Sequence, residues 1–247
     1  MIQLSHLTKK FGDLIAVEDL TLKVGRGQFF AVLGPNAAGK TTLLRVLAGL
    51  LKPTSGVARV AGFDVQTDPL EARRRLAYVP DFPFLYDKLT PWEFFRFSGQ
   101  IFQMSEARIE AAARELIPRF NLEDFAHKPI EGLSHGTRQR VAFVSALLHD
   151  PEVFLIDEPM VGLDPQHARV VKDVLKELTR RGGAVFLSTH QLGIAEELAD
   201  QVGIMHQGRL VAVGTLDELR RQAKSSGTLE QVFLTLTSAK AIQGNGG

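Results

Sequence analysis

The chain has 247 residues, 45% of them hydrophobic, enough for a sizeable core. Its 29 Lys and Arg against 28 Asp and Glu leave a net charge of +1, which excludes the strong positive field of a dedicated nucleic-acid binder. The absence of cysteine excludes disulfides and thiolate metal sites and fits a reducing compartment, and the seven histidines are scattered, with no pair at metal-ligand spacing.

Residues 1 to 28 read as strands and turns: Leu20, Leu22 and Val24 alternate with polar neighbours, and Gly25-Arg26-Gly27 marks a turn. The apolar run Phe29 to Leu33 leads directly into Gly34-Pro35-Asn36-Ala37-Ala38-Gly39-Lys40-Thr41, which satisfies G-x-x-x-x-G-K-[ST]. Two glycines let the backbone N–H groups point inward, Lys40 brings a cation to the outer phosphates of a nucleotide, and the Thr41 hydroxyl can ligand Mg²⁺. The next segment carries Leu43, Leu44, Val46, Leu47, Leu50 and Leu51 on a helical period, so its positive N-terminus faces the same phosphates.

Val57 to Val60 adds a short strand between Gly56 and Gly62, and Arg73-Arg74-Arg75 reads as a solvated helix face. From 87 to 132 the pattern turns helical, with Ser105 as an N-cap and Ile109, Ala112, Ala113, Leu116 and Ile117 as one apolar stripe. A helix over 135–149, a buried strand over 153–156, a helix over 166–181 and a strand over 184–187 follow. The remainder reads as a hairpin over 201–213 turning at Gln207-Gly208, a helix over 217–224, a linker at 225–227, a docking helix over 228–236 and a loose end over 244–247. Strands alternating with helices predict an α/β fold with a parallel sheet covered on both faces. No basic-then-apolar leader is expected, and no apolar run approaches the roughly 18 residues that span a bilayer, so any work at a membrane needs a spanning partner.

Two further segments carry chemistry. Asp157, at the end of an apolar strand, is a Mg²⁺ candidate, and Glu158 beside it can accept the proton of an attacking water. Leu133-Ser134-His135-Gly136 opens a helix and so makes a second anion-binding terminus, which one nucleotide does not obviously share with the first.

Here the chain resembles the ATP-binding cassette (ABC) family, over residues 2 to 236 and with the motifs in family order. Gly34 to Thr42 matches Walker A, Leu133 to Arg140 the L-S-G-G-Q signature, Val153 to Glu158 Walker B, Gly162-Leu163-Asp164 the D-loop, His190 the switch histidine, and Phe11 the aromatic on which adenine stacks. Taken singly, His190 also reads as a histidine satisfied at a strand end and Phe11 as ordinary packing. The resemblance implies a P-loop NTPase with a RecA-like parallel core sheet and an N-terminal antiparallel β subdomain (1–86 and 150–224). It also implies an inserted helical subdomain (87–149) and a tail (225–247), all in one nucleotide-binding domain. It further implies ATP and Mg²⁺ as ligands, with Pro35, Asn36, Ala37, Ala38 and Gly39 lining the phosphates. Lys40, Glu158 and His190 are the implied catalytic groups. Ser134 and Gly136 would contact the γ-phosphate held by a second copy or a paralogous cassette. The implied partner is an integral membrane permease encoded apart, of exporter type, with the cassette peripheral on the cytoplasmic face. The alternative is a soluble ABC-type ATPase acting on a nucleic-acid or protein assembly, although no nucleic-acid partner is expected.

The chain departs from the family pattern at several positions. Ala37 replaces a glycine and is expected to have negative φ. His135 replaces a glycine and Thr137 a glutamine in the signature, and Asp81 occupies the Q-loop glutamine slot, where a carboxylate can still ligand Mg²⁺. Next to it lie Phe82, Phe84, Tyr86, Trp92, Phe94, Phe95, Phe97 and Phe102, more rings than a thin helical layer needs. A groove floored by some of Phe82, Phe84, Tyr86 and Phe95 is expected there, receiving the permease within 81–102.

Overall fold

The computed structural model describes residues 1–160, 162–225 and 227–244, with side chains to residue 237. Ser226 of the expected linker and residues 245–247 of the expected loose end lie outside the described residues. In chain order the structure has β1 (Ile2–Phe11), β2 (Leu14–Val24), β3 (Phe29–Leu33), α1 (Lys40–Leu47), β4 (Ser55–Val60), β5 (Phe63–Asp64), α2 (Pro69–Arg74) and β6 (Leu76–Val79). The helical block follows as α3 (Pro91–Ile101), α4 (Glu106–Arg119), a 3-10 turn at Ile130–Gly132 and α5 (His135–Leu147). Then come β7 (Val153–Asp157), α6 (Pro165–Arg180), β8 (Ala184–Thr189), α7 (Leu192–Leu198), β9 (Gln201–His206), β10 (Arg209–Gly214), α8 (Leu216–Gln222) and α9 (Leu229–Gly244).

Two sheets form. One is antiparallel in the order β2-β1-β4-β5; the other runs β10-β9-β3-β8-β7-β6, parallel except for the β9–β10 hairpin. Strand β3 is apolar at every position because both faces are covered: Phe29, Ala31 and Leu33 enter one core while Phe30 and Val32 enter the other. Phe154 and Ile156 of β7 and Val185 and Leu187 of β8 join the first core, and their alternating neighbours the second. Register then fixes the site. Leu33 pairs with Thr189 and Ser188 with Asp157, so three strands end level at one edge of the sheet.

The segment expected to be helical over 87–132 breaks at Phe102 to Ser105, where Gln103 takes φ +57 and the Ser105 side chain accepts from the Arg108 N–H to start α4. Thr90 and Glu93 close a reciprocal capping box at the start of α3, a signal present in the sequence. The arginine run is only partly the solvated face expected: Arg73 donates to the Gly49 carbonyl (2.7 Å), and Arg75 pairs with Glu71 (2.6 Å) and lies over the Phe63 ring. At the C-terminus α9 docks through buried Leu229 and Val232 and runs beyond the expected end, to Gly244. Among the described residues no helix is long and apolar enough to cross a membrane.

Candidate nucleotide-binding site

The loop between β3 and α1 is held tightly from outside. A Cβ on Gly34 would lie 2.4 Å from the Met205 carbonyl oxygen, and one on Gly39, at φ +102, 2.1 Å from that of Ala16, so both positions require glycine. The Gly208 N–H donates to the Ala38 carbonyl (3.0 Å) and the Ala38 N–H to that of Pro35 (3.2 Å). Pro35, Asn36 and Ala37 form the exposed crest. Ala37 corrects the expectation of negative φ: it adopts +63°, because the crest turns left-handed whether or not a glycine supplies it. The cost is on the order of 1–2 kcal/mol, which the fixed flanks offset.

Lys40, only 7% exposed, folds its ammonium back onto the carbonyls of Gly34 (2.7 Å) and Pro35 (3.0 Å). Burial pushes its pKa down, while Glu158 and Asp157 act in the opposite direction. The Thr41 hydroxyl donates to Asp157 Oδ2 (2.6 Å), joining the loop to the end of β7. Thr42, one residue on in α1, is half-buried. Glu158 takes φ +48 as the chain leaves the sheet, and its N–H donates to the Ser188 carbonyl. Its Oε1 accepts the His190 N–H (2.9 Å) and lies 2.8 Å from His190 Nδ1, and its Oε2 accepts the Thr189 hydroxyl (3.0 Å). Sequence reasoning missed Thr189 as part of this clamp, although Thr189 directly precedes His190. Burial, then the carboxylates of Asp157 and Glu158, push the Asp81 carboxyl up, and His135 and His190 pull it back, so Asp81 shares their field.

The phosphate loop, Asp157, Glu158 and His190 therefore converge, and Asp81 is coupled to them through charge alone. Ser134 and Gly136 do not join them: among the described residues no hydrogen bond links either to the phosphate loop. Ser134 caps α5, and Gly136 packs against the Gly162 carbonyl, where a Cβ would come within 2.6 Å. The His135 ring covers Gly162 and faces the Phe82 ring at 6.1 Å. Phe11, at the tip of the β1–β2 hairpin, is 46% exposed rather than packed away, with Lys9 Nζ 4.8 Å from its ring centre.

A family model described as ABC transporter matches residues 17–161. The chain belongs to the ABC transporter family. The cassette is 33% identical over 240 residues to the ABC transporter ATP-binding protein NatA of Bacillus subtilis, covering 95% of this chain and 97% of that one. It is 38% identical over 214 residues to the daunorubicin resistance ATP-binding protein DrrA3 of Streptomyces coeruleorubidus, covering 87% and 68%. Among solved structures, an ATP-binding subunit of an ABC transporter superposes with TM-score 0.91 at 34% identity, over 96% of this chain and 99% of that one. The dimeric post-hydrolysis structure of the ATP-binding cassette MJ0796 bound to ADP and Pi superposes with TM-score 0.80 at 28% identity, over 87% and 99%. The α/β P-loop fold expected from the sequence is thus the fold of this cassette.

Beside Asp81 a groove of about 610 Å³ runs between α1, β6, α3 and α5, lined by Arg45, Tyr78, Phe84, Ile101, Phe102 and His149 among others. Phe84 is almost fully exposed, and Phe82 and Tyr86 more than half. Of the four rings of which some were expected to floor it, Phe84 lines the groove, whereas Phe95 is fully buried in the helical layer, as Phe94 nearly is, because α3 turns those two rings inward. Phe102 stacks on His149 at 3.7 Å between ring centres, and Phe97 meets Tyr86 edge-on.

Proposed function

We propose that this cassette binds and hydrolyses ATP, in a dimer, to drive a separate membrane-spanning subunit of exporter type. The observation that carries the reading is the Glu158 carboxylate, clamped by His190 and Thr189 next to the Thr41–Asp157 pair at the mouth of the phosphate loop. The donors there are hydroxyl and carboxylate oxygens, with Asp81 in their field, a set suited to the hard cation Mg²⁺. Thr41, Asp157 and Asp81 would hold it, and it would supply neutralisation of the charge on the phosphates.

Lys40 needs only to exchange its two carbonyl contacts for phosphate oxygens. The adenine stacks on the open Phe11 ring, a contact contributing about 1–3 kcal/mol by analogy with other base–aromatic pairs. Water then attacks the γ-phosphorus in line, the bond to the bridging oxygen of ADP breaks, and Glu158 accepts the water's proton. The His190 backbone N–H and the Thr189 hydroxyl fix the carboxylate, and the His190 ring senses whether the γ-phosphate is present. Because Ser134 and Gly136 have no bond to their own loop, they are assigned to the γ-phosphate of the partner cassette; the likeness to a dimeric cassette structure supports this. ATP then favours the closed dimer, and hydrolysis removes the bridge.

The partner would be a permease seated in the groove beside 81–102, with the cassette peripheral on the cytoplasmic face and the 87–149 helical subdomain as the moving contact. Relatives named for daunorubicin resistance and Nod factor export support the exporter direction, and a structural neighbour described as part of the transporter complex cbiONQ supports the membrane partner. Turnover tests the chemistry. Glu158→Gln lowers kcat by about 10² to 10⁴ with ATP binding retained; hydrolysis at the native rate would show that Glu158 is not the base.

A further inference from the structure

The signature segment of this chain differs from the family pattern at Thr137, and the structure gives that residue specific work. Thr137 is 4% exposed and Arg140, one turn on in α5, 6% exposed. Arg140 Nη1 donates to the carbonyls of Phe120 and Asn121 just past the end of α4, both at 2.7 Å. Its Nη2 donates to Thr137 Oγ1 at 3.0 Å. Thr137 Oγ1 lies 2.9 Å from Ser134 Oγ, and the Thr137 N–H also donates to Ser134 Oγ, at 3.3 Å.

The direction of this chain of bonds follows from donor chemistry. A guanidinium has only hydrogens to give, so Thr137 Oγ1 is an acceptor towards Arg140. The buried Thr137 hydroxyl must still place its own hydrogen, and Ser134 Oγ is the acceptor at hand. Ser134 Oγ thereby accepts twice from Thr137, once from the hydroxyl and once from the backbone, which uses both lone pairs. Its own hydrogen is left to point outward from the exposed start of α5.

We propose that Thr137 is a positioning residue for the trans γ-phosphate contact: the relay from Arg140 through Thr137 orients the Ser134 hydroxyl as a donor towards the phosphate held by the partner cassette. This rests on the reading of Ser134 as the residue that meets the partner's nucleotide. The relay is anchored on carbonyls at the end of α4, so it also ties the orientation of Ser134 to the packing of α4 on α5. A glutamine at 137 would supply an amide in place of this hydroxyl relay.

The test is ATP-driven dimerisation in the Glu158→Gln background, followed by analytical ultracentrifugation across an ATP titration, with ATP binding to the monomer measured in parallel. Thr137→Val keeps the shape and removes the relay; it raises the ATP concentration for half-dimerisation about tenfold or more, as expected for losing a hydrogen bond to a charged group, and leaves monomer binding unchanged. Thr137→Ser keeps the hydroxyl and restores dimerisation close to the parent. Dimerisation of Thr137→Val at the parental ATP concentration, or a Thr137→Ser variant as impaired as Thr137→Val, overturns the relay while the sandwich stands. A Glu158→Gln parent that binds ATP and stays monomeric overturns the sandwich and the relay with it.

Discussion

His149 sits at the base of the groove with its ring flat on Phe102, its Nε2–H donating to the Leu76 carbonyl (3.0 Å) and its Nδ1 buried without a partner. Burial lowers its pKa from 6.5 to about 4, against the opposing effects of the Leu76 bond and Asp150. The unfolded chain therefore binds a proton between these values that the folded chain refuses, so stability is full above the unfolded pKa and falls as pH drops towards the folded one. A shift from 6.5 to about 4 corresponds to about 3 kcal/mol in total, of which about 2.5 kcal/mol is lost by about pH 4.5. Replacing the ring by a side chain that does not titrate, His149→Gln, removes this sensitivity. It also costs stability at neutral pH through the lost stack on Phe102. The assay is denaturant unfolding of both proteins at about pH 7.5 and about pH 4.5, reading the difference of differences, which cancels titrating groups common to both. The wild type loses about 2.5 kcal/mol more than the variant, or about 5–10 °C in Tm for a chain of this size. Parallel pH profiles would refute the reasoning, because they would mean that His149 titrates alike in folded and unfolded chains.

Asp81→Gln removes the third carboxylate from the field of Asp157 and Glu158; the Mg²⁺ concentration for half-maximal ATPase rises about tenfold or more. An unchanged rate and Mg²⁺ dependence would place Asp81 outside the metal site. Ala37→Gly relieves a left-handed alanine and raises Tm by about 2–4 °C, the equivalent of about 1 kcal/mol; a lower Tm would show that the flexibility gained in the unfolded chain outweighs the strain.

The parts legible in the sequence are those in which a local pattern has one physical solution. An apolar strand running into Gly34 to Thr41 and then into an apolar helical stripe leaves no other arrangement, and Val153 to Ile156 ending in Asp157 carries its own address at the strand's end. The unread parts depend on distant neighbours. The φ of Ala37 follows from a crest pinned by Ala16, Met205 and Gly208, residues far away in the chain. Phe94 and Phe95 differ in fate from Phe84 because α3 turns them towards the helical core, while the segment before it lies on the surface. The Thr189 clamp and the Arg140–Thr137–Ser134 relay are invisible to motif spacing, since hydroxyls gain their meaning only from the acceptors and donors that the fold brings up to them.

The central claim, that this cassette is the motor of a membrane exporter, is tested most directly by recovering a tagged Glu158→Gln protein from detergent-extracted membranes in the presence of ATP and identifying what comes with it. The account predicts a stoichiometric multi-span membrane protein, lost when the exposed rings Phe82 and Phe84 are replaced by aspartate. Recovery from the soluble fraction alone, as a bare dimer or bound to nucleic acid or ribosomes, would contradict it and favour a soluble ABC-type machine.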